Sequence, residues 1–139
     1  MEQILVFCRP GFETEAGREM TDSATERGIF GYFEPLKDQG LVRFYPAAPE
    51  TADDVMARLF LEELVFVRDW IVVLGQFSLP ETDRVGAVIE GIRGLGRGFP
   101  GCARLEVRLP ENNADGDLGN FARKWVSPLS RGLRGAGLL

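Results

Sequence analysis

Histidine is absent from the 139 residues. Its absence removes the commonest general base and metal ligand. It also leaves any serine or cysteine nucleophile without an imidazole to activate it. Only two cysteines occur, Cys8 and Cys102, and they lie far apart. They form no zinc spacing. With no basic leader in Met1–Gln3, the expectation is two reduced, buried thiols rather than a disulfide. Long apolar runs are lacking as well: stretches such as Trp70 to Leu74 are far too short to cross a bilayer. Arg9 and Pro10 end the first apolar run early, unlike a signal peptide. Carboxylates are plentiful, but none stands in a recognisable catalytic motif. The expectation is a cytoplasmic chain with no membrane segment, no metal and no chemistry of its own.

What is present is an apolar fraction of 45%, enough for a core, and an uneven charge. The net charge of −5 argues against a simple nucleic-acid binder. Residues 1–65, however, carry 13 acids and 6 bases, whereas residues 66–139 carry 8 acids and 10 bases. Any contact with a polyanion is therefore expected in the second half.

Taken in order, Gln3 to Cys8 is an apolar run that reads as a covered strand. Arg9-Pro10-Gly11 punctuates it, and Arg9 reads as a turn residue at the strand–helix corner. Phe12, Ala16, Met20 and Ala24 then recur every four residues as a helix stripe, with Gly28 placed to close the helix. Ile29–Glu34 and Leu41–Tyr45, separated by a turn from Pro35 to Gly40, read as a hairpin. Thr51 and Asp54 suggest a capping box opening a short helix, with Val55, Met56, Leu59 and Phe60 on its inner face. Phe66 to Phe77 reads as a long strand. The order β-α-β-β-α-β is the ferredoxin-like plan, with both helices on one face of an antiparallel sheet. The aromatic group Phe30, Tyr32, Phe33, Phe44 and Tyr45 lacks an RNA-recognition consensus and reads as core and sheet packing.

Leu79-Pro80-Glu81 marks a junction. Val85, Val88, Ile89, Ile92 and Leu95 then share one helical face. Gly98 to Gly101 closes that helix. Cys102 to Leu109 alternates, with Arg104, Glu106 and Arg108 on the wet side of a strand. Asn113 or Asp115 is placed to cap a last helix from Asp117. This helix carries Arg123, Lys124, Arg131 and Arg134 within an arc of about 100°. Leu118, Phe121, Trp125, Leu129 and Leu133 fall opposite, and Trp125 reads as core rather than as a base-stacking ring. The basic arc reads either as a solvated face or as a phosphate-contacting ridge. Pro128 predicts a kink or break. The fold class is thus α+β: a ferredoxin-like domain over 1–78, then an incomplete α-β-α unit over 79–139. A lone strand between two helices cannot make a sheet core, so the strand pairs elsewhere or the native protein continues.

LVFCRPGFETE at the start, LVFVRDWIVV, LPETDRV and LEVRLPE within, and NFARKWVSPLSRGLRGAGLL at the end resemble one family. It is the N-terminal region of the bacterial large-subunit ribosomal RNA cytidine 2′-O-ribose methyltransferases of the M type, and the resemblance covers essentially the whole chain. It implies a ferredoxin-like domain followed by a THUMP RNA-binding module, here truncated. In the parent it further implies a Rossmann-like domain that binds S-adenosylmethionine and carries a Lys-Asp-Lys-Glu catalytic set. Nothing in this chain matches that set, so the resemblance implies no catalytic, cofactor or metal residue here. What it implies is RNA positioning by Arg123, Lys124, Arg131 and Arg134. Arg104 and Arg108 are added by their place on the strand. The expected partners are large-subunit ribosomal RNA and the parent's catalytic domain. A different reading is a protein-interaction module that docks a partner domain through its acidic half, or forms a homodimer through the truncated edge.

Overall fold

The computed structural model describes residues 2–95, 101–108 and 117–139, with side chains left out for 117–122. The chain divides into two compact units: one takes in Met1–Val73, and the other begins at Leu74.

The first unit runs β1 (Ile4–Cys8), α1 (Glu13–Glu26), β2 (Gly31–Leu36), β3 (Leu41–Pro46), α2 (Ala52–Arg58) and β4 (Val67–Val72). A single 3-10 turn at Leu61–Glu63 precedes β4. The four strands form one antiparallel sheet in the order β2-β3-β1-β4. Ile4, Val6 and Cys8 alternate onto one face of β1 and are buried, as period-two geometry requires. Ala16, Met20 and Ala24 of α1, Ala52 and Val55 of α2 and Leu59 at its C-cap meet them, with Val42 and Phe44, in a single core. Both helices therefore cover the same face, and the unit is ferredoxin-like.

Local signals explain the ends. Gly28, at φ 80°, donates to Thr25 while Ile29 donates to Ala24, the paired bonds of a Schellman motif closing α1. Thr51 and Asp54 exchange side chain for backbone N–H, the full capping box. β2 extends through Pro35, where the sequence suggested a turn. It is an edge strand, so the missing N–H costs no ladder bond. β4 is shorter than expected and stops at Val72. Its partner β1 offers only Ile4–Cys8, and a strand extends no further than its ladder.

Two side chains depart from their expected helical faces. Phe12 lies outside α1 at its N-cap and is 39% exposed. Phe60 follows α2 and lies exposed beneath the Arg27 guanidinium, 5.0 Å from the ring centroid. Of the aromatic group, Phe44 and Phe33 pack in the core, while Tyr32 and Tyr45 stack across β2 and β3 with centroids 4.8 Å apart.

The second unit contains α3 (Arg84–Arg93) and α4 (Asp117–Gly135). Asp83 caps α3, its carboxylate accepting the Gly86 N–H at 3.2 Å. Helix α4 is continuous across Pro128, where a kink or break was expected. Proline deletes one donor, and the buried Leu129 and Leu133 hold the turns that follow it. Gly132 lets α4 approach α3 so closely that a side-chain carbon there would overlap Val85. The predicted capping residues Asn113 and Asp115, and most of the Gly98–Gly101 turn, lie outside the described residues. Cys8 is buried, Cys102 is half-buried, and both are free thiols.

Candidate nucleic-acid interface

Helix α4 sorts its residues as the 3.6-residue period dictates. Leu129 and Leu133 are 5% and 1% exposed, whereas Arg123, Lys124, Arg131 and Arg134 are all exposed. Trp125 is half-buried. Leu118 and Phe121 fall where side chains are not described. The C-terminal end is tied down: Leu138 donates to Leu133 and Gly137 to Arg134, another Schellman closure. The four cations therefore ride on a capped, anchored helix. Such a row can neutralise successive phosphates without reading sequence.

Arg104 and Arg108 are placed differently from expectation. Residues 102–108 form no strand, because among the described residues no neighbouring strand supplies a ladder. The segment's start is fastened, the Cys102 N–H meeting the Leu138 carbonyl at 2.9 Å. The alternation survives in part: Arg104, Glu106 and Arg108 are exposed, and Leu105 and Val107 are half-buried. Glu106 lies 3.7 Å from Arg108 and offsets its charge. Among the described residues, α4 thus carries four exposed cations and this segment two, one of them beside Glu106.

A second cluster, in the first unit, was not foreseen. Phe12 and Phe66 stack with centroids 6.0 Å apart and planes 23° from parallel. The Arg9 guanidinium lies 5.9 Å from the Phe12 centroid. Arg9, Phe12, Val65, Phe66 and Arg68 line a recess of about 230 Å³. Arg9 does serve the turn, but through its carbonyl, which accepts the Phe12 N–H at 3.0 Å. Its side chain is left exposed. The signal in the sequence was the pair of arginines flanking phenylalanines in RPGF and FVR. Reading Phe12 as a helix-stripe residue concealed it.

Residues 1–71 match the RlmM ferredoxin-like domain family. The chain belongs to that family. Over its whole length it is 60% identical to the ribosomal RNA large subunit methyltransferase M of Marinobacter nauticus, of which it covers 39%. It is 33% identical to the protein of that name from Vibrio vulnificus, covering 38%, and 34% identical to that from Shigella sonnei, covering 37%. The chain thus spans about two fifths of the length of the curated relatives it matches. The family's ferredoxin-like domain is the sheet and helix pair of the first unit. Helix α4 lies beyond the matched residues.

Proposed function

We propose that this chain is the RNA-positioning N-terminal part of a large-subunit ribosomal RNA 2′-O-ribose methyltransferase, acting in the cytoplasm. The second unit, from about residue 79 in functional terms, is the opening of a THUMP-like module. Its contact is the basic face of α4, with Arg123, Lys124, Arg131 and Arg134 on phosphates and Arg104 and Arg108 as lesser contributors. The observation that carries this reading is the exposure of all four α4 cations opposite buried Leu129 and Leu133. The relatives are named as ribosomal RNA methyltransferases, which supplies the polyanion.

Methyl transfer belongs to the parent's catalytic domain, which is the partner this part serves. The strand–glycine–helix junction from β1 to α1 does not fit S-adenosylmethionine. There the N–H of Gly11 is taken by the Glu13 carboxylate at 2.8 Å. A ligand carboxylate would meet that negative charge rather than an open cradle.

The test is a titration with a ribosomal RNA segment at about 50 mM and about 200 mM salt. Four phosphate contacts give a log–log salt slope of about −3, or roughly a fifty-fold loss over that range. Arg123→Glu with Lys124→Glu weakens binding further at low salt. Affinity indifferent to both salt and charge reversal rejects the proposal.

A further inference from the structure

We infer that the corner formed by Arg9, Phe12, Phe66 and Arg68 binds an unpaired RNA nucleotide, its base against the phenylalanine pair and its phosphate against the arginines. The inference rests on the RNA-positioning reading and adds to it a contact within the ferredoxin-like unit.

Residues 1–65 carry 13 acids against 6 bases, yet the recess where Arg9 of that stretch meets Arg68 is lined by no acid. Among the described residues Arg9 joins no ion pair. Phe12 and Phe66 are 39% and 37% exposed, stacked on one another outside the core cluster. An aromatic face beside guanidinium groups matches a splayed nucleotide, which offers a π-face and a phosphate together. A carboxylate side chain offers no π-face and would use the cations alone.

The corner is held by two carboxylates of α1. The Glu13 carboxylate accepts N–H groups from Gly11, Asp38 and Gly40, fixing the loop that carries Arg9 and Phe12. The Glu19 carboxylate accepts those of Val65, Phe66 and Val67, fixing the opposite wall. β1 and β4 slip register between Phe7 and Cys8, which pair with Asp69 and Val67, so Arg68 is the extra residue of a bulge. Bulges re-aim side chains at sheet edges and sites.

The experiment uses the whole chain and two fluorescent RNAs, a short uridine-rich single strand and a hairpin duplex. Phe66→Leu should weaken the single strand about tenfold, and Arg9→Gln by several-fold, with duplex binding little changed. Single-strand affinity unchanged in both variants overturns the inference. If Arg123→Gln with Lys124→Gln still weakens binding, the reading of α4 stands without it. A chain that binds neither RNA overturns both. Photocrosslinking of the unmutated chain to the same strand bearing 4-thiouridine needs no substitution to fold. Adducts on the peptides holding Phe12 or Phe66 support the corner; adducts confined to α4 reject it.

Discussion

The Glu19 carboxylate accepts the Phe66 backbone N–H at 2.9 Å, so a residue of α1 sets the position of a ring that stacks on Phe12. The same carboxylate takes the N–H groups of Val65 at 2.7 Å and Val67 at 3.1 Å. Glu13 does the equivalent for Gly11, Asp38 and Gly40. Two acids of the electronegative half are therefore fastenings of the fold. Others pair locally, as Glu34 does with Arg43 and Glu50 with Arg58. An acidic count alone is weak support for a docking surface when its members already hold backbone or cations.

Removing the Glu19 carboxylate should loosen the lead into β4. Glu19→Ala leaves three N–H groups without their acceptor. Two of those bonds are exposed, so water recovers much of the loss. The expected cost is about 1–2 kcal/mol, read as a lower urea midpoint. Glu19→Gln, which keeps one acceptor oxygen, should fall between. An unchanged midpoint in Glu19→Ala would show that water replaces the carboxylate fully.

Glu13 gives the fold a pH dependence of definite sign. Its residue is 4% exposed. Burial alone would raise its pKa, but the N–H donors of Asp38, Gly11 and Gly40 outweigh it and hold the carboxyl below its ordinary value. A depressed carboxyl binds its proton more readily in the unfolded chain. Its stabilisation is therefore complete above the ordinary glutamate value of about 4.3 and is lost as pH falls through the folded pKa. Asp54, held low by the Thr51 backbone and hydroxyl, acts in the same direction. Glu13→Gln isolates the Glu13 part. The unmutated chain should exceed that variant by about 2 kcal/mol at neutral pH, and the gap should narrow in acid. Denaturant melts at pH 7 and pH 3 measure it, and a gap independent of pH contradicts the assignment.

Gly17 lets α1 lie close against β2: a side-chain carbon there would overlap the Phe33 ring. Gly17→Ala should gain helix propensity yet lose about 1–3 kcal/mol from forced displacement of Phe33. Phe33→Leu shortens the obstructing ring. Adding Gly17→Ala in that background should cost less, a coupling that a double-mutant cycle reads directly. Additive losses would mean that the helix, not the ring, yields.

The ferredoxin-like plan was legible because local signals agreed with the global fold. Ile4, Val6 and Cys8 alternate, Ala16, Met20 and Ala24 repeat at helical spacing, and Thr51 with Asp54 marks a helix start. What was not legible depended on partners distant in sequence. The end of β4 is set by the length of β1, and the bulge at Arg68 by register against Phe7 and Cys8. Phe12 fits the α1 stripe by spacing, but the chain enters the helix only at Glu13. The basic arc on α4 was plain from periodicity, because a helix carries its own hydrogen bonds. The strand expected at 102–109 needed a neighbour, and no pattern within one segment shows whether a neighbour exists.

Continuity of α4 across Pro128 makes a prediction that a broken helix would not. Arg123 and Lys124 precede the proline, and Arg131 and Arg134 follow it. In an unbroken helix the two pairs stay within one arc, so both reach the same strand of RNA. Arg123→Gln with Lys124→Gln should lower the salt slope by about 1.4, and Arg131→Gln with Arg134→Gln should lower it by the same amount. All four changes together should remove nearly all the salt dependence contributed by α4. A kink at Pro128 would turn the later pair away from the earlier one, and neutralising it would then leave the slope almost unchanged. Salt-dependent titrations of the two double variants decide between these outcomes, because each slope counts phosphates neutralised, through the counterions released, rather than affinity alone.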